Sequence, residues 1–398
     1  MLALHLLQSG IDAGVALQSG VDSGAVRDSL GALAAGAAIG ALVLYLYGLR
    51  VRGADDRVAA LARLRRAVRA VLVVVYAGTV LALLDAGWFG VVDAAAAPLV
   101  GIDTELASAA TLFLGVSTPF AAAIGAYFGA FPAAQSLRGT DVSPVSAAFR
   151  LGRFGLGAAL YFTVLVVVQN ALTTTSTTAL PFVAVLFLLL LAVWVTAPWL
   201  VRLTRSTRSP TDAERERLAR LCQEAGLDPY GVRVLEATDA KQAFALVRGP
   251  PRRRQLFVTD YLLDELDDET LRASLALQAA RTDRNHLEAR LALAVGTVLF
   301  TLGPLLGVLS VPGVADGAVA LVALSAGLLG LWAGQWLVYR ADIAAVERTS
   351  REAVEAAIER YAELNDAPME WGRLASLRRM EPSLTQRIDR IRDRAARE

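Results

Sequence analysis

Seven stretches of this chain are apolar enough and long enough to cross a lipid bilayer: residues 30–48, 70–91, 108–130, 155–173, 179–199, 290–311 and 316–338. A hydrocarbon core takes about 20 residues of helix. Within it every backbone N–H and C=O must find its partner inside the segment, which leaves helix as the conformation of these runs. Of the 398 residues, 55% are hydrophobic and 19% charged, and the charges gather between the runs. A net charge of +1 gives no footing for nucleic acid. There is one cysteine, Cys222, and there are two histidines, His5 and His286, so neither an intrachain disulfide nor a cysteine-only metal site can form.

Arginines orient the spans, because basic residues concentrate in cytosolic loops. The loop after the first run carries Arg50, Arg52, Arg57, Arg63, Arg65, Arg66 and Arg69; the next has only Asp93, Asp103 and Glu105. Arg138, Arg150 and Arg153 follow the third run, and the 173–178 loop carries no charge. Arg202, Arg205 and Arg208 open a polar segment, Asp316 stands alone between the last two runs, and the tail is again rich in arginine. The expectation is a multi-pass cell-membrane protein with its amino end outside and its polar segment and tail in the cytosol. Residues 1–29 lack the basic start and cleavage site of a secretory signal. They repeat a short motif, Leu7 to Gly14 returning as Leu17 to Gly24, and read as an extracytoplasmic tail.

Small residues recur at helix-packing spacing as Gly36 with Gly40, Gly125 with Gly129 and Gly330 with Gly334, and predict close packing within one bundle. Polar residues inside the spans are few: Asp85, Gln169, Asn170 and Gln335. No line of ionisable groups crosses the bilayer, as a transporter usually needs. The Arg57–Arg69 stretch reads as an extension of the second span.

The polar segment, residues 202–289, reads as a compact helix and strand unit. Thr211 and Glu214 form a capping-box signal, and a helix runs from Asp212 to about Ala225 until Gly226 and Asp228-Pro229 end it. Val232–Leu235, Gln242–Val247 and Gln255–Thr259 read as strands, with a Gly249-Pro250-Pro251 turn before the third. A short helix follows from Tyr261 to Leu266, and a long one starts at Asp268. The Asp267-Asp268-Glu269 run suits a helix start, and Arg252-Arg253-Arg254 is expected to face solvent or headgroups.

Several elements taken in order resemble a known family. They are Gln242-Ala243-Phe244-Ala245; Leu256-Phe257-Val258-Thr259-Asp260 with Leu262-Leu263; Glu269-Thr270-Leu271-Arg272-Ala273 opening a helix; Tyr339-Arg340-Ala341-Asp342 after two spans; and Glu381-Pro382 with Arg387-Ile388 in the tail. Together they resemble the HtpX and CAAX-prenyl-protease family of membrane zinc endopeptidases, over residues 202–392. The resemblance implies a multi-pass α-helical membrane protein with a small α+β cytosolic metallopeptidase-like domain. Its parts would be the tail (1–29), a five-span region (30–201), the α+β domain (202–289), two further spans (290–338) and a helical part completing the domain (339–398).

In that family one helix carries His-Glu-x-x-His, with two histidines on one face holding zinc and a glutamate polarising the attacking water. The aligned positions here are Leu277, Gln278 and Arg281. The place of the third ligand, which a later helix supplies, is taken by Val338; Asp342, which supports the site in the family, is retained. No catalytic position is intact and no cofactor is expected; zinc would return only if the chain were an active hydrolase. Arg281 is expected to pair with Asp342 in the place of the metal, and Leu256–Thr259 to lie at or near a sheet edge facing the cleft. Cys222 lacks a histidine partner apart from His286, which reads as a polar helix residue.

The leading functional expectation is therefore a pseudopeptidase, a binding, scaffold or regulatory protein in membrane protein quality control. Its partners would be membrane lipid together with unfolded or membrane protein segments or an active protease. The alternatives are an active metalloendopeptidase with an unrecognised site, or a seven-span transporter or sensor.

Overall fold

The computed structural model describes residues 22–100, 105–140, 142–173, 180–283, 285, 288–289, 291–293, 295–296, 316–372, 375–376 and 379–396. The chain forms two compact units, Met1–Ala171 and Leu172–Glu398.

The first unit is helical. Helix α1 (Ser23–Arg52) starts where the Asp22 carboxylate accepts from the Gly24 N–H at 2.8 Å. Helix α2 (Arg57–Asp85) starts where Asp56 accepts from the Ala59 N–H at 2.9 Å. Such caps satisfy donors that a helix start otherwise leaves open. The Arg57–Arg69 stretch is thus one continuous helix with the second span, as the sequence suggests. A shorter helix, α3 (Trp88–Val100), occupies ground that reads largely as loop between the second and third runs, and α4 (Glu105–Ser117) forms the first part of the third run. Then come α5 (Pro119–Arg138) and α6 (Pro144–Thr173).

The glycine spacing explains how α1 and α5 pack. A Cβ at Gly40 would sit 2.5 Å from the Ala126 Cβ, and one at Gly129 would sit 1.9 Å from the Ala41 carbonyl oxygen. No side chain fits at either contact, so the two backbones touch through small residues. Two of the three small-residue pairs in the sequence therefore join helices within one bundle. Below them Leu44, Leu61 and Leu64 are fully buried.

Five helices among the described residues are long and apolar enough to cross a membrane: Ser23–Arg52, Arg57–Asp85, Leu106–Arg138, Pro144–Val168 and Gly317–Val346. Apolar side chains such as Ile39 (64% exposed), Val73 (68%) and Leu321 (66%) point out of them, as lipid contact requires. The expected span at 179–199 corresponds to α7 (Leu180–Thr204), whose Leu190–Thr204 part is apolar but shorter. The expected span at 290–311 lies almost wholly outside the described residues.

The second unit carries the sheet. Its strands are β1 (Thr207–Arg208), β2 (Gly231–Leu235), β3 (Ala245–Arg248) and β4 (Gln255–Thr259), in the order β1-β2-β4-β3. Strand β4 pairs parallel with β2, Val232 opposite Leu256, and antiparallel with β3, Val247 opposite Leu256. Leu256–Thr259, expected at or near a sheet edge, is the strand next to one: β3 is the outer strand and β4 lies just inside it. Leu256, Phe257, Val258 and Thr259 are all buried, so both faces of the strand are covered. Such a strand reads as a continuous apolar run, not as an alternating one.

Helix α8 (Asp212–Glu224) begins with the expected capping box between Thr211 and Glu214. A short helix, α9 (Asp260–Glu265), leads to α10 (Asp268–Asp283). Asp267 caps α10 by accepting from the Thr270 N–H at 2.8 Å. Helices α11 (Asp316–Val346), α12 (Arg351–Leu364) and α13 (Leu384–Ala395) complete the unit. One core joins them: Leu218, Leu256, Leu271, Val354 and Ile388 are buried together. The described parts of α11, α12 and α13 therefore share one core with α8, α10 and the sheet.

Candidate functional site

Helix α10 is buried almost all round. Leu271, Ala273, Leu275, Ala276, Leu277, Ala279 and Ala280 are all inaccessible or nearly so, and four of the seven are alanines. Small side chains let α8, α11 and α12 pack closely against it. Its start is anchored by Arg217 of α8, which donates to Asp268 Oδ1 at 2.7 Å and to the carbonyls of Leu263 and Leu266 at 2.7 and 2.8 Å. Arg220 donates to the other Asp268 oxygen at 2.7 Å, and these guanidiniums hold the Asp268 carboxyl below its ordinary pKa. The end of α10 is anchored by Arg254, which donates to the Thr282 carbonyl, to Asn285 Oδ1 at 2.9 Å and to Glu288 Oε1 at 2.5 Å. This corrects one expectation: Arg252 and Arg253 are exposed, but Arg254 turns inward.

The positions that the resemblance aligns with the zinc motif fall on two packed helices, Leu277, Gln278 and Arg281 on α10 and Val338 and Asp342 on α11. Leu277 and Val338 are buried; Gln278 and Arg281 are half-buried. Asp342 is 1% exposed, and both its oxygens are taken by Arg387 of α13. Arg387 Nε donates to Oδ2 and Nη2 to Oδ1, each at 2.7 Å. The expected Arg281–Asp342 pair is therefore replaced by a bidentate Arg387–Asp342 pair. Planar guanidinium and planar carboxylate match in that arrangement, and Arg387 is itself buried. Burial disfavours the charge on Arg387, but the Asp342 carboxylate outweighs it and holds the guanidinium above its ordinary pKa.

Zinc is bound by imidazole nitrogen, thiolate or carboxylate oxygen. At these positions Leu277 and Val338 offer hydrocarbon, Arg281 offers a cation, and the Asp342 carboxylate is already paired with Arg387. The donor set does not fit zinc. Among the described residues no three His, Cys, Asp or Glu side chains stand together as a metal site would need. His5 and His286 lie outside the described residues.

Cys222 on α8 is 4% exposed, and burial pushes its thiol up to about 11. A thiol so placed is a packing residue, not a nucleophile. The sheet edge nearest the family-like motif is β3. The segment leading into it is held by Asn365, which accepts from the Ala243 N–H at 3.1 Å and donates to its carbonyl at 2.7 Å. Arg205 stacks over the Phe244 ring at 4.9 Å and donates to Gln242 Oε1 at 3.3 Å. Arg387 was legible in the sequence only as half of the tail motif; its role as the partner of Asp342 depends on how the tail folds back.

No protein-family model matches the sequence, and no curated protein matches it. Solved structures do match. The fold is similar to that in the crystal structure of S. mikatae Ste24p, over 92% of this chain and 98% of the other, with a TM-score of 0.62 and 13% identity. A likeness at that identity is one of fold, and it identifies the architecture as Ste24-like: a multi-pass helical membrane protein with a small α+β part.

Proposed function

We propose that this chain is a non-catalytic protein built on a membrane metallopeptidase-like fold, which binds polypeptide segments instead of cutting them. It would serve as a scaffold or regulator in membrane protein quality control. The observation that carries the reading is the donor set: Leu277, Arg281 and Val338 stand at the three positions where the resemblance expects zinc ligands. In the family the sequence resembles, the aspartate equivalent to Asp342 supports a zinc ligand. Here that carboxylate pairs both oxygens with an arginine from the tail, while Leu277 and Val338 fill the neighbouring space with hydrocarbon. The bidentate pair ties α11 to α13 and takes one acceptor site on each Asp342 oxygen.

The surface suited to an unfolded or extended segment is β3, which among the described residues pairs in the sheet with β4 alone. Alternate N–H and C=O groups of Ala245–Arg248 point off the sheet and can take a further strand. The partner is an extended polypeptide, either an unfolded membrane protein segment or a segment of an active protease.

The test uses the full chain purified in a mild detergent. Elemental analysis is run beside a casein-type degradation assay with and without a zinc chelator. A photoreactive residue is placed at Leu246 and irradiated in native membranes. The expected result is no stoichiometric zinc, no chelator-sensitive cleavage and protein adducts at Leu246. Stoichiometric zinc with chelator-sensitive cleavage would overturn the non-catalytic reading. Absence of any adduct would overturn the peptide-binding part.

A further inference from the structure

A second recess lies away from the vestigial site, on the next face of α11. Trp332, Gln335, Trp336 and Tyr339 fall at helical spacing along one side of that helix. Across from them stand Gln386, Asp389, Arg390 and Asp393, likewise one face of α13. Together they enclose a groove of about 320 Å³. The opposite face of α13, with Leu384, Ile388 and Ile391, is buried in the core, while Gln386, Asp389, Arg390 and Asp393 are exposed.

Depth in the membrane follows from α11 itself. Leu321, Leu328 and Leu329 are 66%, 51% and 65% exposed along its apolar length, and Trp332 and Trp336 are 59% and 44% exposed beyond them. Helical apolar surface giving way to tryptophan and tyrosine, and then to Arg340, marks the headgroup level of a bilayer.

The charges in and beside the groove form no ion pairs among the described residues, although Asp389 lies near enough to Arg392 to raise its pKa. Arg390 lies over the Tyr339 ring at 6.0 Å and Arg340 over the Trp336 ring at 4.5 Å. Among the described residues neither has a carboxylate within salt-bridge distance, and neither do Asp389 and Asp393 have a cation. An arginine steadied on an aromatic face keeps its N–H fork for a phosphate. Two carboxylates on the same wall call for a cation that donates hydrogen bonds. A quaternary ammonium would seek aromatic faces, but those of Trp336 and Tyr339 are already covered by arginines. A primary ammonium brings three N–H donors to carboxylates.

We infer that this groove seats the headgroup of a phospholipid bearing one phosphate and one primary ammonium, of the phosphatidylethanolamine type. Its phosphate meets Arg390, with Arg340 at the rim, and its ammonium meets Asp389 and Asp393. The glycerol and acyl chains run down beside Trp332 along the exposed leucines of α11. A headgroup with a further carboxylate would face the two aspartates and be repelled. This inference does not depend on the function proposed above.

The full chain in detergent micelles is titrated with phosphatidylethanolamine, phosphatidylcholine or phosphatidylglycerol, all with the same acyl chains, and bound lipid is counted by native mass spectrometry. The unaltered protein should retain phosphatidylethanolamine about tenfold better than either of the others. The double variant D389N/D393N should lose that preference while still binding lipid. R390A should weaken all three lipids about fivefold or more. All three substituted side chains are exposed, so the variants should unfold at the same temperature as the parent, which a thermal melt checks. Equal retention of the three lipids, or a preference for phosphatidylglycerol, overturns the proposal. So does a preference for phosphatidylethanolamine that survives D389N/D393N.

Discussion

Asp342 and Arg387 show how two buried charges hold each other in the fold. Each is a buried charge, and each would be costly alone. Together they form two charge-assisted hydrogen bonds that tie α11 to α13. Arg387→Ala should cost about 3–5 kcal/mol, because it leaves the Asp342 carboxylate buried and unpaired. Removing both charges, as Asp342→Leu with Arg387→Met, should recover most of that loss, since a well-packed apolar pair is often as stable. Thermal unfolding of the three proteins in detergent checks this; a double variant no more stable than Arg387→Ala would argue against the pair as the cause. Arg281→Ala leaves this pair in place and should cost less than Arg387→Ala. The motif remnants carried both Asp342 and Arg387 in the sequence. What they did not carry was the pairing. A guanidinium aligned with a lost histidine, as Arg281 is, makes an obvious partner for a nearby acid, but the choice is made by the tail returning across α11.

Among the elements, local chemistry was legible and long-range placement was not. The strand Gln255–Thr259, the Thr211–Glu214 capping box and the starts of α8 and α10 were all readable, because each rests on neighbours in sequence. Strand β1 was not, since two residues form a strand only by pairing with β2. The position of β4 inside the sheet was signalled by its unbroken apolar run, but order among strands belongs to non-local pairing. One cap reaches beyond its helix. Glu214 accepts from Arg208 of β1 through both oxygens at 2.7 Å, and this, set against its partial burial, holds its carboxyl at about 2 instead of 4.5. A carboxyl with a lowered folded pKa stabilises fully above its unfolded value, and that stability is lost as pH falls through the folded value. The window therefore runs from pH 4.5 down to about 2. Glu214→Gln should start less stable near neutral pH and lose less on acidification than the parent. Melting temperatures taken at about pH 6 and about pH 3 give the comparison. In the first unit, Gly129→Ala would drive a methyl into the Ala41 carbonyl. It should cost about 1–3 kcal/mol by prising α1 from α5, seen as a lower melting temperature.

At the scale of the molecule, the spans and the arginine pattern make one claim that the fold leaves open: which side each unit faces. The described helices give five segments able to cross a bilayer, and α7 and the 290–311 run complete the expected seven. An odd number of crossings puts the amino end and the tail on opposite sides. From the arginine-rich loops we propose that the sheet-bearing part of the second unit faces the cytosol. Ser376 would be a poor reporter of this, since it is 3% exposed. Asp22, exposed at the start of α1, and Asp212, whose side chain is 98% exposed, are better placed. In a Cys222→Ser background, Asp22→Cys should react with a membrane-impermeant maleimide in intact cells. Asp212→Cys should react only after the membrane is opened. Cys222 itself, left in place as a control, should label slowly on either side, because its buried thiol stays protonated up to about 11. Labelling of both introduced cysteines from the same side would mean an even number of crossings between them. The 179–199 run would then be the one to doubt, since Leu190–Thr204 is the shortest apolar helix of the set, and the sheet-bearing part would share a compartment with the amino end.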